Sequence, residues 1–123
     1  MILSLLALAF ASLFNSLMDV SMFNFENSIL KSKNNIWNDW WTDRSHKGGI
    51  LQLGDGWHFS KMLMIGFVII SIVLYVPIFI YTDYILLNRF IDFVIYSVVW
   101  NVVFNLFYDK ILRKSKINET NIT

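Results

Sequence analysis

The fold is decided by residues Met62 to Tyr81, which read MLMIGFVIISIVLYVPIFIY and carry no charged side chain. A helix of about 20 residues rises about 30 Å, which matches the hydrocarbon core of a bilayer. Backbone amides in lipid must pair within their own segment, so a transmembrane helix is predicted over about residues 58–82. Pro77 in its second half predicts a kink.

Two further apolar stretches, residues 2–23 and 88–109, are also long enough to cross a bilayer. A cleaved signal peptide, with Ala9-Phe10-Ala11 as the cleavage site, is the alternative for the first stretch, although it lacks a basic n-region. The sequence predicts an all-α membrane protein with three transmembrane helices. A Trp-rich interfacial segment, 24–56, joins the first two helices, and a cytoplasmic tail, 110–123, follows the third.

Composition supports a membrane protein and excludes several classes of function. Apolar residues make up 56% of the chain and the mean hydropathy is +0.53, whereas soluble domains average about 45–50% apolar. A net charge of +1 argues against a nucleic-acid binder, which needs a basic face. The chain has no Cys, so disulfides and thiolate metal sites are excluded. The expected partner is the lipid bilayer, and no nucleic acid is expected.

The distribution of Lys and Arg predicts the orientation of the chain. Of its 10 basic residues, only Arg89 lies in the turn between the second and third spans. The others lie in the first loop with its flanks and in the C-terminal tail. Because basic residues accumulate on the cytoplasmic side, we expect the N-terminus outside and the C-terminus inside, in the inner (cytoplasmic) membrane.

The connecting segment contains three Trp residues at i, i+3 and i+4, which share one face of a helix. Asn34 or Asn35 is expected to cap that helix. Indole rings favour the membrane interface, so the helix is predicted to lie on the inner leaflet. Packing of the same rings against the transmembrane helices is the open alternative. The expected interfacial anchors are Trp37, Trp40, Trp41 and Trp57.

Polar side chains at helical spacing on each span are predicted to meet in the inner leaflet. The topology carries each set to the cytoplasmic end of its helix, where ionisable groups usually face a bundle interior. A structural reading stands beside this: Asp55 caps the second helix, and the two Asn residues of the third span bond between helices. Asp92 lies at the outer end of its span and is expected to be interfacial. The candidate cluster is Asn15, Asp19, Asp55, His58, Asn101 and Asn105.

Two stretches, Phe14–Asp19 and Asp55–Ile65, with the Trp-rich segment between them, carry a resemblance. The chain resembles a group of uncharacterised small membrane proteins from Bacteroidetes and their phages over about residues 10–75. The resemblance implies a bacterial or phage source and brings no function. Members of that group carry a His where this chain has Asn24, which weakens a metal-site reading.

Three functions remain open at the level of sequence. The polar cluster binds an ion, a lipid headgroup or a partner helix; or the chain is a pore former like phage holins; or it is a membrane-embedded enzyme using His58 with Asp19 or Asp55. No cofactor or metal is assigned, because the paired His of metallohydrolase helices are missing and the second His, His46, lies in a loop. Three helices bury little surface, so a homo-oligomer or a larger membrane complex is expected.

Overall fold

The computed structural model describes residues 1–42, 55–78 and 84–114, and every regular element within these ranges is helical. In chain order the α-helices are α1 (Ile2–Phe23), α2 (Asn35–Thr42), α3 (Gly56–Val73) and α4 (Ile85–Asn105). A 3₁₀ turn, Phe25–Asn27, follows α1, and a π-helix, Leu106–Leu112, continues α4. His46, Asp83 and the tail beyond residue 114 lie outside the described residues.

Three helices are long and apolar enough to cross a membrane: α1, α3, and α4 with its π-helical extension, Ile85–Leu112. The predicted architecture of three spans is therefore confirmed, and the Trp-rich helix α2 lies between the first two.

Helices α3 and α4 bury small or polar side chains and expose apolar ones, which is the opposite of a helix bundle in water. The buried residues of α4 are both polar, Asn88 and Asp92, while Phe90 and Phe93 beside them are exposed. Helix α3 likewise buries Gly56, Ser60 and Ser71 and exposes most of its aliphatic side chains. In lipid there is no hydrophobic driving force that buries apolar side chains between helices. Small or polar residues form the contacts between helices in such bundles. The pattern fits a protein surrounded by lipid.

Helix α1 lies at the centre and packs against both α3 and α4, which make little direct contact with each other. Ala11 and Ser12 on α1 are completely buried, so their small side chains let neighbouring backbones approach. Toward α3, the ring of Phe67 stacks on Phe10 and Phe14, with centroid distances of 5.2 and 5.7 Å.

Helix α3 ends earlier than the sequence suggests. Its last residue is Val73, and the cap residue Leu74 donates its N–H to the carbonyl of Ile70 at 2.9 Å. Pro77 disfavours helical backbone in the residue before it. The helix therefore stops before Pro77 instead of running kinked through it toward residue 82.

Backbone pairing closes the end of the bundle at which α1 and the π-helix end and α3 begins. The N–H of Ile29 donates to the carbonyl of Leu112 at 2.9 Å, and the N–H of Lys114 donates to the carbonyl of Asn27 at 2.7 Å. These bonds tie the loop after α1 to the end of the π-helix. The apolar core beneath them consists of Val20, Phe25, Leu30, Trp41 and Leu112.

Candidate functional site

Asp55 and His58 form the one pair of the predicted cluster that the described contacts bring together. Asp55 is the N-cap of α3: its Oδ1 accepts the backbone N–H of His58 at 2.8 Å. Its Oδ2 lies 2.7 Å from Nδ1 of the His58 ring. An ionised carboxylate only accepts hydrogen bonds, so Nδ1 carries a proton whenever Asp55 is charged. Asp55 thus caps α3, as the structural alternative expects. Its second oxygen also fixes the orientation of the His58 imidazole.

Aromatic side chains surround this pair. The Trp57 ring meets His58 edge to face at 4.8 Å, and Nζ of Lys61 lies 5.0 Å from the centre of the same indole. Because Lys61 is exposed while Asp55 is buried, the pair lies at the boundary between the bundle and its surroundings.

Helix α2 packs its indoles onto the start of α3 rather than extending away from the bundle. Trp41 is buried and Trp40 half-buried, and their rings lie directly against the backbone of Gly56. Trp37 is more exposed and donates its Nε1–H to the carbonyl of Leu30 at 2.7 Å. Asn34 caps the helix through the N–H of Trp37 at 3.2 Å, one of the two caps expected. Trp41 therefore packs against a transmembrane helix, which was the alternative to a position at the membrane interface.

Asn15 and Asp19 on α1 are half-buried, but Asn101 and Asn105 on α4 are exposed. The Nδ2 of Asn101 donates to the carbonyl of Ser97 in its own helix at 2.8 Å. The described contacts therefore link neither α4 amide to Asp55 or to the polar residues of α1, and the grouping of all six candidate residues stays a prediction.

Asp92 was expected to be interfacial, but the structure buries it. It is 2% exposed, and it accepts the Tyr75 hydroxyl at 2.5 Å and the N–H of Ile78 at 3.2 Å. Arg89 in turn donates Nη1–H to the Tyr75 oxygen at 2.8 Å. This chain of bonds joins the segment after α3 to the start of α4, at the opposite end of the bundle from Asp55. A carboxylate three residues from an isolated Arg was the available sequence signal, and its partner Tyr75 was hidden by the expectation that α3 continues.

Serine hydroxyls join the three spans in the half of the bundle where α3 ends. Ser4 of α1 bonds to the Ser71 carbonyl and to the hydroxyl of Tyr96, so one side chain connects α1, α3 and α4. Further along α1, the hydroxyl of Ser12 donates to the carbonyl of Trp100 at 2.7 Å. The recurrence of small residues along α1, at 4, 7, 11, 12 and 16, was the sequence signal for this packing.

Within residues 1–42, 55–78 and 84–114, no group of three or more His, Asp or Glu side chains is placed to hold a metal ion. Comparison of the chain with protein-family models, curated proteins and solved structures finds no match.

Proposed function

We propose that this small integral membrane protein acts as a homo-oligomer whose copies meet along the outer face of α4. The observation that carries the proposal is the exposure of Asn101 and Asn105 on a helix that spans the bilayer. Asn101 lies about 24 Å from Ile85 and about 17 Å from Leu112 along the helix, which is too deep for its short side chain to reach either interface. A primary amide facing hydrocarbon is costly unless all its donors and its acceptor are paired, and the Ser97 carbonyl takes only one N–H of Asn101.

The residues around these amides have the spacing of a coiled-coil seam. Six exposed or half-buried positions alternate in steps of four and three, the 3.5-residue repeat of helices that pack side by side. Transmembrane helices commonly cross at the same shallow angle as coiled coils. We call these residues the α4 seam: Leu87, Ile91, Val94, Val98, Asn101 and Asn105.

A second copy of the chain is the partner that best fits the α4 seam. Copies inserted in one membrane share an orientation, so a two-fold pair is parallel and brings each seam residue to its own counterpart. An amide is both donor and acceptor, so Asn pairs with Asn, and an Asn in such a seam favours the parallel dimer.

A groove beside the seam provides space for side chains of the second copy. It has a volume of about 270 Å³ and is lined by Leu8, Phe93, Tyr96, Ser97, Trp100 and Asn101. Because Asn101 belongs to both the groove and the α4 seam, a helix laid along the seam also covers one wall of the groove.

The test is the oligomeric state of purified protein in detergent, measured by analytical ultracentrifugation. We expect wild type to associate and the double variant Asn101→Leu, Asn105→Leu to shift toward monomer by roughly tenfold or more in dissociation constant, because about 0.6–2 kcal/mol is lost per amide pair. Asn15→Leu on α1 is the matched control and leaves association unchanged. Equal association of wild type and the double variant contradicts the proposal.

Pore formation is the second candidate, and one observation favours it. Ser97, Asn101, Asn105 and Asp109 follow each other every four residues, and the last three are exposed. In a ring of copies this line of polar groups is suited to face water. Collapse of the membrane potential in cells expressing wild type, but not the double Leu variant, supports a pore; an unchanged potential leaves assembly alone as the function.

The proposal includes the orientation, with the N-terminus outside and the basic end at the cytoplasm. It is supported by the nine basic residues on that side of the chain. The pairing of the loop after α1 with Leu112 and Lys114 gathers two of the basic regions at the same end of the bundle.

A further inference from the structure

A groove opens at the surface between α3 and α4. Both helices pack against α1 and hardly touch each other, so Leu8 of α1 forms the floor between them. The groove has a volume of about 320 Å³, at the small end of the range for ligand sites. We call it the α3–α4 groove, and it is lined by Leu8, Val68, Ser71, Ile72, Tyr75 and Tyr96.

The groove presents hydrocarbon to an occupant even though hydroxyl groups are part of its lining. The Ser71 hydroxyl donates to the carbonyl of Ser4 at 2.9 Å, and the Tyr96 hydroxyl bonds to the Ser4 hydroxyl. The Tyr75 hydroxyl donates to Asp92. Each hydroxyl therefore has a partner inside the protein, and the surfaces left to line the groove are rings and aliphatic side chains. An apolar chain fits such walls, and a polar solute does not.

A cationic group lies at the outer mouth of this groove. The Arg89 guanidinium donates one N–H to Tyr75, a lining residue, and its carbon lies 5.4 Å from the centre of the Tyr75 ring. A guanidinium has five N–H donors, so the described contacts use only part of its capacity. Arg89 is exposed and lies about 6 Å along the helix from Ile85, at the level where the span begins. A planar fork of donors at that level suits a phosphate.

The charge of Asp92 does not remove this capacity. Its carboxylate is buried and receives the Tyr75 hydroxyl and the N–H of Ile78, so it lies on the protein side of the Tyr75 oxygen. Arg89 contacts that same oxygen from the exposed side. The cation is thereby held in place with its remaining donors available at the surface.

We propose that the α3–α4 groove binds one acyl chain of a phospholipid while Arg89 binds its headgroup phosphate. Apolar walls within the span and a single cation at its edge match the two parts of such a molecule at the depths where a bilayer places them. The α3–α4 groove contains no residue of the α4 seam and shares only Leu8 and Tyr96 with the groove beside that seam. Lipid binding therefore does not require self-association.

The experiment is native mass spectrometry of the full chain in detergent, titrated with dioleoyl phosphatidylglycerol. We expect a single bound lipid, and we expect Arg89→Gln to weaken binding roughly fivefold through loss of one cation at the headgroup. Ile72→Trp, which fills the groove, weakens it at least as much. The matched controls, Lys61→Gln at the other end of α3 and Ile69→Trp on a neighbouring exposed position, bind as wild type does.

Dioleoylglycerol, which has the same chains and no phosphate, separates the two contacts. Its binding is weakened by Ile72→Trp and unchanged by Arg89→Gln, a result that also shows that the Arg89 variant is folded. The proposal is overturned if Arg89→Gln and Ile72→Trp bind phosphatidylglycerol as wild type does. It is equally overturned if the two control variants lose as much affinity as their counterparts.

Discussion

Ser4 and Ser71 each donate a hydroxyl to the backbone carbonyl of the other: the Ser4 Oγ lies 3.0 Å from the Ser71 oxygen, and the Ser71 Oγ lies 2.9 Å from the Ser4 oxygen. Both residues are buried, so the first and second spans touch here through backbone as well as side chain. Reciprocal bonds of this kind need close approach, which only small residues permit.

Replacing these serines tests that contact. We expect Ser4→Ala and Ser71→Ala each to destabilise the protein by about 0.5–1 kcal/mol, because each removes one hydroxyl that donates to a backbone carbonyl of the other helix. Ser71→Leu costs more, since it forces the helices apart. The measurement is unfolding by SDS in mixed micelles. Ala variants as stable as wild type would mean that the reciprocal bonds are not formed.

Two helical glycines on α3 make a matched pair. A Cβ at Gly56 would lie 2.5 Å from Cε3 and 2.8 Å from Cδ2 of Trp41, whereas a Cβ at Gly66 meets nothing within 4 Å. Gly56→Ala therefore displaces the indole and destabilises by about 1–3 kcal/mol. Gly66→Ala is neutral or stabilises by up to about 1 kcal/mol, since Ala is the better helix former. Tryptophan fluorescence reports the displacement, and equal effects at both sites contradict the described packing.

Asp55 can be tested for its capping role apart from its charge. Asp55→Ala removes the acceptor for the His58 N–H and is expected to cost about 1–2 kcal/mol. Asp55→Asn keeps an acceptor at the cap and retains most of that stability, although it loses the charged partner of the imidazole. Chemical shifts of the His58 ring, followed by NMR, register that second change. Similar unfolding of the Ala and Asn variants would show that the cap is unimportant.

The buried carboxylate of Asp92 predicts a larger loss than an exposed one on the same helix. Asp92→Ala leaves the Tyr75 hydroxyl and the Ile78 N–H without their acceptor, at a cost of about 1–3 kcal/mol. Asp109→Ala removes only an exposed ion pair with Arg113 and is expected to cost less than about 0.5 kcal/mol. Thermal unfolding in detergent compares the two variants. An Asp92 variant as stable as wild type would argue against the hydrogen bonds of Asp92 with Tyr75 and Ile78.

Features set by local physics were predictable from the sequence. The three spans follow from length and hydropathy, and the caps at Asn34 and Asp55 follow from residue type beside a helical stretch. Which face of a helix packs against the bundle depends on contacts with residues distant in the sequence. Asn101 and Asn105 were expected inside because polar groups avoid lipid, but α4 instead buries Asn88 and Asp92 against the rest of the bundle. Periodicity places residues on a common face without saying what covers it.

The end of α3 shows a second reason why part of the structure could not be predicted from the sequence. Nothing in the hydropathy of residues 74–81 distinguishes a kinked helix from one that has ended, because both remain apolar. Once the helix stops at Val73, Tyr75 is able to reach Asp92 across the connection. A contact that depends on where a helix ends is thus hidden until the ends are known.

The central claim, self-association along the α4 seam, is tested most directly by disulfide cross-linking in native membranes. The chain has no Cys, so a single Val98→Cys substitution introduces the sole thiol, three residues before Asn101 on the same face. We expect oxidation to give a covalent dimer of Val98→Cys and little or none of Ile69→Cys, an exposed control on α3. Addition of Asn101→Leu and Asn105→Leu should reduce the dimer. Equal cross-linking at positions 98 and 69, or none at position 98, would contradict the account.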